Sequence, residues 1–299
     1  MARPAGAHRV VGFPAGGTND VVARLLAQRL ADRIGRPFVV ENRPGAGGNV
    51  GTNVVAKAPA DGYTLLMASN GSLATNRFLY KSIPFDADRD FTPIVMVGET
   101  PILVAVNPKV AAADLRAFVQ LAKAQPGRLN LGTPGNGTIG HLTLVMLQTA
   151  AGVQLQHVPY NGGAPALKEA LAGGIDGLVT PSAGNEAHVQ SGALRGLAVT
   201  TRRRAPNLPN VPTAAEQGLD LEAASILGLY GPAGLPAAVV QRLNAEVNQF
   251  IASPDGRTRL VDASVIPAGG TPEHMAQVMA AEVPKWKRVV DAAGGVKLD

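Results

Sequence analysis

Two glycine-rich segments hold the residues best placed to do chemistry in this chain. The first is Phe13-Pro-Ala-Gly-Gly-Thr-Asn-Asp20, between a short apolar run and an amphipathic one. Glycines at 16 and 17 let backbone N–H groups turn inward, and a following helix N-terminus adds partial positive charge. Phe13, Ala15, Gly16, Gly17 and Thr18 therefore form a candidate anion receiver. A plain strand-to-helix turn with Thr18 or Asn19 as N-cap is the other reading. Asp20 repels anions and is expected to brace the loop. The second segment, Gly132-Thr-Pro-Gly-Asn-Gly-Thr-Ile-Gly-His141, repeats the arrangement with Thr133, Gly135, Asn136, Gly137 and Thr138. His141, in the first turn of the next helix, is biased towards neutrality by the helix dipole. It could donate to a ligand or cap its own loop.

Gly135-x-Gly137-x-x-Gly140 matches the dinucleotide fingerprint, but no Asp or Glu lies between His141 and Lys168 to hold a ribose. A nucleotide-using oxidoreductase with a degenerate fingerprint is kept as the alternative, and no cofactor is expected. His8, His157, His188 and His274 have no metal-ligand spacing, and no nucleophile motif or paired carboxylates stand at strand ends. No catalytic residue and no metal site are expected. Asn42-Arg-Pro-Gly-Ala-Gly-Gly-Asn49 reads as a tight structural turn. Ser69 and Asn70 offer a hydroxyl and an amide on the same sheet edge as the first loop, and Tyr160, Asn161 and Thr180 do so beside the second.

The elements that must position these residues alternate along the chain. Strands are expected at Arg9–Phe13, Pro37–Glu41, Tyr63–Ala68, Ile94–Val97, Ile102–Val106, Arg128–Leu131, Leu155–Val158, Ile175–Val179 and Leu194–Val199. In 20–34, Val22, Leu26, Leu30 and Ile34 repeat at helical spacing, stopped by Gly35 and Pro37. Apolar strands alternating with helices point to mostly parallel sheets flanked by helices. Extended stretches Ile102–Asn107 and Leu227–Pro232 would be two crossover strands between lobes. One lobe would be 1–104 with 226–299, and an inserted lobe 105–225, with a ligand cleft between them. Helices near Ala237–Ser253 and Pro272–Ala293 would return to the first lobe, with Pro254 following one and Pro284 kinking the other.

The net charge of +5 is not gathered into a nucleic-acid footprint. Arg202-Arg203-Arg204 is the one tight basic run and reads as a solvated turn. With no cysteine, there is no disulfide scaffold or thiolate chemistry. No apolar run approaches the roughly 18 residues of a membrane span.

Phe13-Pro-Ala-Gly-Gly17, Glu41-Asn-Arg-Pro-Gly-Ala-Gly-Gly48, Asp61-Gly-Tyr-Thr-Leu65, Gly135-Asn-Gly137 with His141, His157-Val-Pro-Tyr160, Leu197-Ala-Val-Thr200 and Val211-Pro-Thr213 resemble, in order and spacing, the Bug family. These are extracytoplasmic receptors of tripartite tricarboxylate transporters, and the resemblance runs from about Arg9 to Gly294. It implies a two-lobed periplasmic binding protein fold of the second type, closing on a small organic carboxylate. Ordered waters would help hold the ligand to the loop matching Phe13–Thr18. It further implies a periplasmic monomer whose signal has been removed, membrane transporter subunits as partners, and no nucleic acid. Thr180 and Asn161 stand where relatives often show Asp and Lys, which leans the ligand away from amino acids. A cytoplasmic sensor with this architecture would carry an appended helix-turn-helix, and none is seen.

Overall fold

The computed structural model describes residues 7–11, 15–292 and 294–295. Among the described residues its contacts divide the chain into two units, one reaching to Glu99 and resuming over Ile226–Trp286, the other holding Thr100–Ser225 and residues 287–292 with 294–295. Residues 100–104 and the end of the last helix thus group with the second unit.

The first unit begins with β1 (Ala7–Val11), α1 (Thr18–Ile34), β2 (Phe38–Asn42), α2 (Asn49–Ala56), β3 (Thr64–Ser69) and the short α3 (Asn76–Leu79). β1 pairs in parallel with both β2 and β3. Helix α1 ends where expected, because Gly35 takes the left-handed conformation and its N–H reaches Ala31 O at 2.9 Å. The two apolar runs at 94–97 and 102–106 form a single strand, β4 (Phe91–Val106). Gly98 and Pro101 do not break it, because its two halves pair with different partners.

The second unit follows with α4 (Leu115–Ala124), β5 (Asn130–Thr133), α5 (Ile139–Ala151), β6 (Gln156–Pro159), α6 (Gly163–Ala172), β7 (Gly177–Pro181), α7 (Glu186–Gln190) and β8 (Arg195–Val199). β5 lies parallel to β6 and β7, while β7 and β8 run antiparallel to residues 102–106 of β4. The chain re-enters the first unit through β9 (Ala224–Pro232), antiparallel to β3. Then come α8 (Ala237–Ala252), α9 (Pro254–Asp262), β10 (Ile266–Pro267), antiparallel to β4, and α10 (Pro272–Ala292), which runs through Pro284. Each sheet is therefore mixed: the βα units supply parallel strands, and β4 and β9 add antiparallel ones.

Helix α9 was not expected. Pro254 starts it at the N1 position instead of closing α8, and Ser253 caps it by accepting the Gly256 N–H at 3.0 Å.

Continuous apolar strands follow from burial on both sheet faces. In β3, Leu65 and Met67 join the core under α1 and α8, while Leu66 and Ala68 join the core with Val55 of α2 and Met275 of α10. The second unit has its own core, which includes Leu103, Ala105, Leu178 and Val199.

Candidate functional site

In the first unit, parallel pairing brings the carboxyl ends of β1, β2 and β3 to one sheet edge, where α1 begins. Phe13 lies outside the described residues; Ala15, Gly16 and Gly17 are exposed and Thr18 half-buried. Neither Thr18 nor Asn19 caps the helix. Gly17 is the N-cap, without side-chain help. The Gly16 N–H is taken by the chain's own carboxylate: it donates to Asp20 Oδ2 at 2.9 Å. Asp20 also accepts from Arg24 Nε at 3.0 Å and Asn42 Nδ2 at 3.0 Å, so it ties the loop to the end of β2. Burial opposes its charge, but the bonds from Arg24, Gly16 and Asn42 prevail and hold its pKa below the usual carboxylate value. Asp20 thus braces the loop. Among the described residues, the N–H groups of Gly17, Thr18 and Asn19 have no acceptor, and the buried Asn19 Oδ1 has no partner. Open donors at a helix N-terminus suit an anion. The supporting Arg24 and Asn42 were missed in sequence, since nothing in their spacing announces that β2 and α1 meet at Asp20.

Ser69 closes β3 and is buried. Asn70 is fully buried and leaves the candidate set. Its Nδ2 donates to Glu282 Oε2 at 2.7 Å and its Oδ1 accepts from the Ile226 N–H at 3.2 Å. The same Glu282 accepts from Trp286 Nε1 at 2.5 Å and pairs with Lys285. Asn70 is a structural residue, tying the end of β3 to β9 and α10. The Asn42–Asn49 segment is likewise a packed turn, held by Asn76 Nδ2 bonding to Gly47 O at 3.0 Å and Asn49 Oδ1 at 2.7 Å.

In the second unit, Thr133 ends β5 and Thr138 caps α5, accepting the His141 N–H at 3.3 Å. The Gly137 N–H is committed inward, to Nδ1 of His141 at 3.0 Å. It is thus satisfied within the loop, and His141 bonds its own loop. Asn136 is exposed at the loop tip, and the N–H groups of Asn136, Ile139 and Gly140 have no acceptor among the described residues. The loop rests on its neighbour: Tyr160 N–H donates to Thr133 O at 3.0 Å and Gly162 N–H to Pro134 O at 2.9 Å. Burial, then the charge of Glu169, pushes the Tyr160 phenol pKa up.

Asn161 is exposed and Thr180 buried, the Thr180 hydroxyl lying 3.4 Å from where a Cβ on Gly163 would stand. Gly163 opens α6, whose N-cap Gly162 has no side-chain help. The α6 N-terminus is a feature that sequence reading passed over; Gly162-Gly163 with Pro165 in the first turn was its signal. Along the outer face of α5 runs a shallow cavity of about 410 Å³, lined by His141, Val145, Gln148, Thr149, Val153 and Ala292. Among the described residues no cluster of His, Asp or Glu could hold a metal ion.

His141 is buried, and burial followed by the neighbouring His157 lowers its pKa from 6.5 to about 4. Between those values the unfolded chain binds the proton that the folded one refuses. Stability from this group is complete above pH 6.5 and falls as pH drops towards 4. With allowance for solvent screening the loss is roughly 2 kcal/mol. Urea melts at pH 7 and pH 4.5 should show this excess loss in the wild type and not in His141→Gln.

An α/β fold in two units, threaded by long shared strands and offering amide-lined helix N-termini, is the architecture of a solute-binding receptor. Residues 22–295 match the tripartite tricarboxylate transporter family receptor (TctC), and the chain belongs to this family. Three solved structures are similar over almost the whole chain. R. palustris Rpa4515 with adipate has a TM-score of 0.88 and 35% identity, covering 98% of both chains. MatC from Rhodopseudomonas palustris with bound malate has a TM-score of 0.81 and 30% identity, covering 95% of this chain and 98% of that one. The periplasmic binding protein BugD has a TM-score of 0.82 and 31% identity, covering 98% and 99%. Family and neighbours are substrate-binding receptors and not enzymes, which removes the oxidoreductase alternative.

Proposed function

We propose that this chain is a periplasmic, monomeric receptor for a non-amino organic dicarboxylate or tricarboxylate, which it presents to the membrane subunits of a tripartite tricarboxylate transporter. The observation that carries this reading is the set of N–H groups without acceptors at the N-terminus of α1 in one unit and of α5 in the other. Each is suited to a carboxylate, and similar receptors hold adipate and malate. Thr180 and Asn161 supply hydroxyl and amide groups and no charge, which favours ligands without an amine. Ala15, Gly17, Thr18, Ser69, Thr133, Asn136, Thr138 and Tyr160 remain the proposed ligand surroundings, with Phe13 beside them in sequence. Gly16, Gly135, Gly137 and His141 shape the loops.

Titration calorimetry and thermal shift should show adipate or malate raising Tm by several degrees at a hundredfold excess over Kd. NAD and neutral sugars should have no effect. An NAD response with none from any organic acid would overturn the reading.

A further inference from the structure

Between Thr133 and Thr138 the chain makes a six-residue excursion whose two ends are held by two different histidines. At one end, His157 Nε2 lies 2.7 Å from Thr133 Oγ1, and that oxygen also accepts the Gly135 N–H at 3.3 Å. At the other, His141 Nδ1 accepts the Gly137 N–H at 3.0 Å, and the Thr138 hydroxyl joins the ends by donating to Gly135 O at 2.8 Å. The rings of His141 and His157 are stacked, with centroids 4.0 Å apart and planes 7° from parallel. Only the Asn136 tip between these anchors is exposed and keeps its N–H open.

Resting on the carboxylate reading above, we propose that this imidazole stack splints the loop in its ligand-receiving form, making His157 a positioning residue that acts through His141 and Thr133. A loop of this length free to reorder would lose affinity to ordering entropy, and a preformed one does not. The residue type follows from the task. Each ring must offer a flat face to the other and a nitrogen to the loop, and both must be neutral, because two cations at this separation repel. Desolvation supplies that neutrality. His157 sits half-buried on β6, which among the described residues pairs with β5.

Two variants separate stacking from hydrogen bonding. His157→Ala removes both, and His157→Phe keeps the plate but loses the bond to Thr133. With adipate and malate as probes, the Ala variant should bind the better one on the order of tenfold more weakly, the worth of about one hydrogen bond and the stack. The Phe variant should recover most of that affinity. In ligand-free protein, amide exchange at Gly137 should quicken about tenfold in the Ala variant and stay near wild type in the Phe variant. The β5 amides should not change in either. Unchanged Gly137 exchange in the Ala variant would overturn the proposal, as would unchanged affinity. If the wild type binds no organic acid of a wider di- and tricarboxylate panel, the receptor reading fails, while the exchange result still decides whether the stack holds the loop.

Discussion

Replacing Glu282 by Ala is expected to destabilise the first unit by about 3–5 kcal/mol, the usual result of removing one member of a buried ionic group. Glu282 is buried on α10 and gathers Asn70 Nδ2, Trp286 Nε1 and the Lys285 ammonium. Truncation would take a charged acceptor away from the Asn70 amide and the buried indole N–H, and the lysine would lose its counter-charge. Trp286 is among the largest fully buried side chains, so its indole N–H has no ready route to solvent as a replacement partner. A fall in Tm on the order of 10 °C should follow. Glu282→Gln keeps one acceptor oxygen and should fall less far. Asn70→Ala should be destabilising by about 2 kcal/mol for the unmet groups it leaves, yet change adipate affinity less than threefold where the protein is folded. A large affinity loss in a still-folded Asn70→Ala protein would restore that residue to the ligand set and refute its assignment as structural.

The second large effect is expected on binding. Gly135→Val should weaken acid binding about a hundredfold or more, for two separable reasons. Gly135 has φ of 137°, a conformation that side-chain-bearing residues rarely adopt. A Cβ there would also stand 2.9 Å from the Tyr160 carbonyl oxygen, a backbone atom that cannot move without breaking the seating of the loop on Tyr160 and Gly162. Gly16→Ala is the contrast. Gly16 also has a positive φ, 86°, but among the described residues, its chain neighbours aside, no atom lies within 4 Å of its would-be Cβ. Its cost should be the conformational one alone, about 1 kcal/mol, with a several-fold loss of affinity. Calorimetric titration of both variants checks the ordering. Equal affinities in the two would mean that the seating on Tyr160 is irrelevant to binding.

What the sequence determined by itself was local in origin. The helix stop at Gly35, the βα alternation and the placing of Gly-rich turns before α1 and α5 follow from periodicity and from where chain geometry needs glycine. Asp20 as a brace was also legible, because like charge excludes it from an anion site. The tertiary structure decided which of the available donors are open. Gly16 and Gly137 have the residue type for receiving an anion, but Asp20 and His141 take their N–H groups first. Asn70 looked available because a strand end next to a loop normally faces solvent; Glu282, over two hundred residues away in sequence, lies against it instead. His157 was legible as part of a family motif, but nothing in its spacing pointed to His141 or Thr133; the stack and the bond exist only once β6 lies parallel to β5. A hydrogen bond belongs to a pair. Sequence spacing shows both partners only when they are near neighbours in the chain, and in this protein several partners that decide the site come together only when the sheets form.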